Sequence, residues 1–299
     1  MCGIVALFLK DRSLEAGLGG HLADMLGSMS DRGPDSAGFA VYGAARPDAV
    51  KLTVLGTAGT DFDAIAAAIE AGSGFAIRVE RRATHAVLSC PAEAAAAVRA
   101  ALAREAPDLA VVGEGARMEV YKETGLPPAV AESFRLGAMS GTHGIGHTRM
   151  ATESAVTTAG AHPFSTGRDQ CLVHNGSLSN HNDVRRRLVR EGLAFATEND
   201  SEVAAGYLTW RMREGTSLGE ALNSALGDLD GFYTFVVGTE TGFGVLRDPV
   251  ACKPAVLAET DAYVAFGSEY RALVDLPGIG NARVWEPEPA TVYHWERQA

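Results

Sequence analysis

The chain opens Met1-Cys2-Gly3-Ile4-Val5-Ala6-Leu7-Phe8-Leu9, and no other stretch constrains its folding as strongly. Residues 2–9 are a short apolar run rich in strand formers, which reads as a buried strand with a cysteine at its head. Removal of Met1 would leave Cys2 with a free α-amine, so one residue would carry both a thiol nucleophile and a base. A thiol reacts as the thiolate and ionises near pKa ~8.5, while an α-amine titrates near ~7.7–8.0. A nucleophile paired with its own chain-terminal amine is a known form of covalent catalysis. Taken alone, Cys2 is explained equally well as a buried thiol starting an edge strand.

With 299 residues the chain has room for one large domain or two ordinary ones. Hydrophobic residues make up 46% and charged residues 21%, a globular composition with ample core. The net charge of −11 disfavours nucleic-acid binding, which needs a basic surface. No apolar run is long enough to span a bilayer, and the N-terminus has no basic segment ahead of its apolar one, so neither a membrane nor a secretory signal is expected. The four cysteines, Cys2, Cys90, Cys171 and Cys252, are too scattered for a disulfide framework or a zinc site. The histidines show no metal-ligand spacing. A reducing cytoplasm is the expected home.

Ser13 to Met29 has helical spacing of Leu14, Leu18, Leu22, Met25, Leu26 and Met29. Asp31-Arg32-Gly33-Pro34-Asp35-Ser36 reads as a loop, followed by strands at Ala37–Tyr42 and Val50–Leu55. Between Gly59 and Phe134, strand-like runs alternate with amphipathic helices, ending in a short helix at Pro127–Phe134. This suggests an α+β lobe inserted into a domain that spans residues 2–299. Beyond Gly144 come short strands, Gly144–Thr148 and Gln170–His174, then helices over Asp183–Glu191, Ser201–Arg213 and Leu218–Leu226. The last third, with strands at Phe232–Val237, Gly242–Leu246, Ala262–Phe266 and Ala290–Tyr293, looks like antiparallel sheet.

Three polar groups of residues fall at strand or helix ends. In Gly146-His147-Thr148-Arg149, the Arg149 guanidinium offers a planar fork suited to a carboxylate, although a surface ion pair is the commoner fate of an arginine. In His174-Asn175-Gly176, a side-chain amide and an unhindered backbone N–H are the parts of an oxyanion hole, although Asn-Gly is more often a tight hairpin turn. In Glu198-Asn199-Asp200-Ser201-Glu202, Asp200 is able to grip an ammonium, or Asp200 or Ser201 simply caps the helix that follows. His162, in His162-Pro163-Phe164, sits in a loop, where a lone histidine is more often a surface residue than a ligand.

These stretches occur in one order. Cys2-Gly3-Ile4-Val5, Arg32-Gly33-Pro34-Asp35-Ser36, His147-Thr148-Arg149 with Thr152, Ala161-His162-Pro163-Phe164, His174-Asn175-Gly176, Glu198 to Glu202 and Arg247-Asp248-Pro249 with Lys253-Pro254 run from residue 2 to residue 254. The ordered set resembles the class II glutamine amidotransferases, hydrolases that begin at a mature N-terminal cysteine. The resemblance implies a four-layer α/β/β/α sandwich of two antiparallel sheets. It implies Cys2 as nucleophile with its α-amine as base, and Asn175 and Gly176 as the oxyanion hole. Arg149, with Thr152 beside it, would hold the α-carboxylate of L-glutamine, and Asp200 its α-ammonium. Arg32 and Asp35, with His162, would buttress the nucleophile from behind.

Position 150 is methionine, where many members carry an aromatic residue, and Ala161-His162-Pro163-Phe164 is shared with glutamate-synthase-type domains. The 59–134 insertion is absent from the compact glucosamine-synthase glutaminase. No synthase domain follows the module before Ala299. The expectation is therefore a glutaminase that passes ammonia to a separate synthase subunit, glutamate-synthase-like or an N-methylglutamate synthase. Any flavin would sit in that partner, and no cofactor or metal in this chain. The competing expectations are an amide hydrolase acting on another substrate and a non-catalytic glutamine-binding scaffold.

Overall fold

A computed structural model describes residues 2–46, 48–151 and 155–297. In chain order the elements are β1 (Gly3–Leu9), α1 (Leu18–Ser28), β2 (Ser36–Tyr42), β3 (Ala49–Leu55), α2 (Phe62–Ser73), β4 (Arg78–Arg82), β5 (His85–Pro91), α3 (Ala95–Glu105), β6 (Ala110–Gly115), β7 (Met118–Thr124), α4 (Pro127–Ser133) and β8 (His143–Arg149). There follow β9 (Phe164–Gly167), β10 (Gln170–Leu178), α5 (His181–Arg190), α6 (Asp200–Arg213), α7 (Leu218–Asp228), β11 (Gly231–Gly238), β12 (Gly242–Arg247), β13 (Val256–Glu259), β14 (Tyr263–Gly267), β15 (Arg283–Trp285) and β16 (Thr291–Glu296).

Two antiparallel sheets stack face to face. One has seven strands in the order β15-β13-β14-β1-β8-β2-β7, the other five in the order β16-β12-β11-β10-β9. The side chains explain why β1 lacks polar alternation. Ile4, Ala6 and Phe8 pack between the sheets with Ile145, Val173, Val236 and Phe266. Val5, Leu7 and Leu9 face the other way, onto Leu22 and Leu26 of α1, Val130 of α4 and Phe134. Because successive strand residues point to opposite faces, a strand covered twice is apolar throughout. The outer face of the five-stranded sheet carries α6 and α7, with Leu172, Phe235 and Leu246 against Val203, Leu208 and Leu222. The molecule is thus the expected four-layer α/β/β/α sandwich. β1 is flanked by β14 and β8, so Cys2 heads a central strand and not an edge one.

The boundaries of the 59–134 lobe need correction. A third, four-stranded sheet in the order β4-β5-β3-β6 carries α2 and α3 over its own core, which includes Leu52, Phe62, Ile69, Leu88 and Val98. It therefore takes in β3, which precedes residue 59. It leaves out β7, which pairs with β2 at the edge of the seven-stranded sheet, and α4, which packs against α1. The helix expected over Ser13 to Met29 starts only at Leu18, after a 3-10 turn over Arg12–Gly17 capped by Asp11. Among the described residues, no helix is long and apolar enough to cross a membrane.

Candidate active site

Antiparallel register fixes the neighbours of Cys2. Gly3 pairs with Thr148 across β1 and β8, so one further step sets Cys2 level with Arg149, and on the far side of β8 Arg149 pairs with Ser36. Strand parity then aims the side chains. Cys2 shares the face of Ile4 and Ala6, Arg149 that of Ile145 and His147, and Asn175 that of Cys171 and Val173. All three therefore point into the space between the sheets, at the end where the sandwich opens.

That opening is a cleft of about 850 Å³ lined by Cys2, Arg149, His162, His174, Gly176 and Asp200, among others. The main chain of Cys2 is clasped twice. Its carbonyl accepts from Arg32 Nε at 3.0 Å and from Asn175 Nδ2 at 3.2 Å. Arg32, itself buried, is held by Glu269 at 2.6 Å. The Cys2 thiol lies 3.9 Å from the Met150 carbonyl. Asp35 secures the strand end that bears Arg149: its N–H donates to the Arg149 carbonyl at 3.1 Å, and its Oδ2 accepts from Ala151 N–H at 2.8 Å. Arg149 is largely buried and its Nη1 reaches the Ala155 carbonyl at 3.5 Å. Thr152 lies outside the described residues.

Asn175 and Gly176 do not form a hairpin turn. They continue β10, paired with Thr234 and Tyr233 of β11, while the ladder to β9 stops at Leu172 and Phe164. Gly176 has φ 145°, and a Cβ there would sit 2.0 Å from the Phe232 carbonyl oxygen, so only glycine fits. The cap question at α6 also resolves. Asn199 caps the helix by accepting from Ser201 N–H at 2.8 Å. Asp200 is left to face the cleft, with Oδ2 accepting from Leu178 N–H at 2.8 Å.

His162 is buried, not on the surface. It stacks on His147 with ring centroids 4.0 Å apart, and its Nε2 lies 2.9 Å from the Ser201 hydroxyl, which is also 2.9 Å from His174 Nδ1. Burial pushes the His147 ring down to about 3 and the His174 ring to about 4, with His162 also well below the usual range. All three are neutral at physiological pH. Among the described residues, no group of three His, Cys, Asp or Glu side chains is arranged to hold a metal ion.

Several residues that shape the site had no site role in the sequence reading. Lys122 of β7 is buried between the sheets and donates to the carbonyls of Ala161 at 2.9 Å and Ala159 at 3.1 Å, anchoring the segment that carries His162. Burial pushes its ammonium down to about 8, against the opposing pull of Glu202. Glu202 accepts from the N–H groups of Ala196 and Thr197, each at 2.8 Å, and from the Thr197 hydroxyl at 2.7 Å, bracing the cleft wall. Ser268 accepts from Ile4 N–H at 2.9 Å and from Asn175 Nδ2 at 3.2 Å. The roles of Lys122 and Ser268 depend on contacts between distant segments, invisible to local spacing, whereas Glu202 braces residues only five and six positions before it.

A sandwich of two antiparallel sheets between helical layers, with a cysteine at the head of a central strand, is the N-terminal-nucleophile hydrolase architecture. Comparison with solved structures agrees: the chain superposes on glutamine phosphoribosylpyrophosphate amidotransferase from B. subtilis with a TM-score of 0.62 at 19% identity, covering 99% of this chain and 47% of that one. Residues 147–275 match the family described as glutamine amidotransferase domain. Over its whole length the chain is 62% identical to the glutamine amidotransferase-like protein GlxB of Rhizobium meliloti, 99% of which is covered. It is 31% identical to a Methanothermobacter thermautotrophicus protein provisionally described as a glutamine amidotransferase, covering 98% of this chain and 99% of that one. The chain belongs to the class II glutamine amidotransferase family.

Proposed function

We propose that the protein hydrolyses L-glutamine through a thioester on Cys2 and passes the ammonia to a separate synthase subunit. The observation that carries this reading is the convergence of Cys2, Arg149, Gly176 and Asp200 on one cleft, with the Asn175 amide beside the nucleophile's own carbonyl. A free amino acid needs one cation for its carboxylate, one anion for its ammonium and donors for its reacting amide. Arg149, Asp200 and the Asn175–Gly176 pair supply them. The Cys2 thiolate, its proton taken by the α-amine exposed once Met1 is removed, attacks the side-chain amide carbon. Negative charge gathers on the amide oxygen against the Asn175 N–H and the Gly176 N–H. Both hydrogen bonds donated by Asn175 Nδ2 are 3.2 Å long, and one is exchanged for a bond to the new charge. Collapse of the intermediate expels ammonia, protonated by the same amine, and water then releases glutamate.

The synthase partner is read as glutamate-synthase-like or an N-methylglutamate synthase, with any flavin on its side and this chain cytoplasmic. One feature supports a covering partner: the cleft exposes two apolar side chains, Met150 and Phe232. The test is intact-mass analysis of protein with a free Cys2 amine after exposure to glutamine and to a diazo-ketone glutamine mimic. A covalent adduct on Cys2, lost in Cys2→Ala, is expected. Failure of the mimic to label Cys2 would end this reading.

A further inference from the structure

Asn175 can serve an oxyanion only if the nitrogen end of its amide faces the nucleophile. An amide turned end over end would present oxygen there and repel the charge it should stabilise. Two carbonyls, which only accept, reveal how the choice is made. One is the Cys2 carbonyl, 3.2 Å from Asn175 Nδ2. The other is the His174 carbonyl, 3.2 Å from His147 Nε2, which also lies 3.2 Å from Asn175 Oδ1. A ring nitrogen beside a carbonyl oxygen must be the one that bears hydrogen. His147 Nε2–H therefore donates to both oxygens, and the amide end facing it has to be the oxygen end. We infer that His147 is a positioning residue that holds the Asn175 amide in its donor-forward orientation and thereby builds half of the oxyanion hole.

The inference rests on the glutaminase reading and extends it to a residue that touches neither substrate nor nucleophile. The surroundings hold the tautomer. The ring lies in the inter-sheet space, stacked on His162. Burial, with the nearby His174 ring and Arg149 guanidinium, keeps it from gaining a second proton. The only groups within hydrogen-bonding reach of Nε2 among the described residues are the two oxygens named.

The test combines spectroscopy with kinetics. Nitrogen NMR of histidine-labelled wild-type protein should show His147 protonated at Nε2 from pH 5 to 8. A ring protonated at Nδ1 overturns the inference without any variant. In glutamine hydrolysis, His147→Leu should lower kcat by about tenfold or more, with KM changed by less than about twofold, since a misturned donor forfeits part of the ~10²–10³ of one oxyanion contact. His147→Gln, which keeps an N–H donor, should recover most of that loss. In an Asn175→Ala background, His147→Leu should have no further effect, because the group it orients is gone. If Asn175→Ala lowers kcat and His147→Leu does not, the inference falls and the glutaminase reading stands. If Asn175→Ala leaves kcat unchanged, the oxyanion hole itself has been misread.

Discussion

At the scale of single residues, the proposed site separates binding from chemistry. Arg149 ends a central strand with its backbone pinned by Asp35, so its guanidinium is presented from a rigid base. Arg149→Lys keeps the charge and loses the planar fork. A hydrogen bond to a charged group contributes ~1.5–3 kcal/mol, so KM for glutamine should rise about 10- to 100-fold with little change in kcat, read from initial rates. Cys2→Ala should do the reverse, abolishing turnover while glutamine still binds, as calorimetry would show. Binding lost in Cys2→Ala would mean that the cysteine organises the cleft and does not merely react in it.

At the scale of elements, the walls of the cleft are held by single buried groups. Glu202, from the first turn of α6, braces Ala196 and Thr197. Glu202→Ala strands two N–H groups and a hydroxyl. It should cost about 2–5 kcal/mol, seen as a lower Tm, and raise KM for glutamine because the wall beside Asp200 loosens. Elements of this kind divide by how far their evidence lies along the chain. β1 was legible because a strand covered on both faces is apolar at every position. That Cys2, Arg149, Gly176 and Asp200 share one cleft was legible because their order matches one family. β7 and α4 were misassigned to the lobe because nothing in Met118–Thr124 says that it pairs with Ser36–Tyr42, some eighty residues earlier. The contacts of His147, Lys122 and Ser268 were illegible for the same reason, since each is made with a partner in another segment.

At the scale of the whole molecule, the fold buries five neutral imidazoles, four in the sandwich and His85 on β5 of the lobe. Burial depresses His85 to about 4, His143 to about 3, His147 to about 3 and His174 to about 4, and His162 well below its ordinary value. In the unfolded chain these rings protonate near ~6.5, so between that value and ~4 the unfolded state binds more protons than the folded one. Stability from this source is fully present above pH ~6.5 and is lost as pH falls. Each ring contributes a slope of about 1.4 kcal/mol per pH unit, so five together approach ~7, against a typical total of ~5–15 kcal/mol. Cooperative acid unfolding near pH ~5 is expected by circular dichroism, with several protons taken up per molecule. A protein still folded at pH 4 would contradict this. The placement of β1 has a practical side as well. Since Cys2 opens directly onto the cleft from a central strand, any affinity tag fused ahead of it would have to thread out through the reaction chamber. A purification handle belongs instead beyond β16, at the sheet's outer margin.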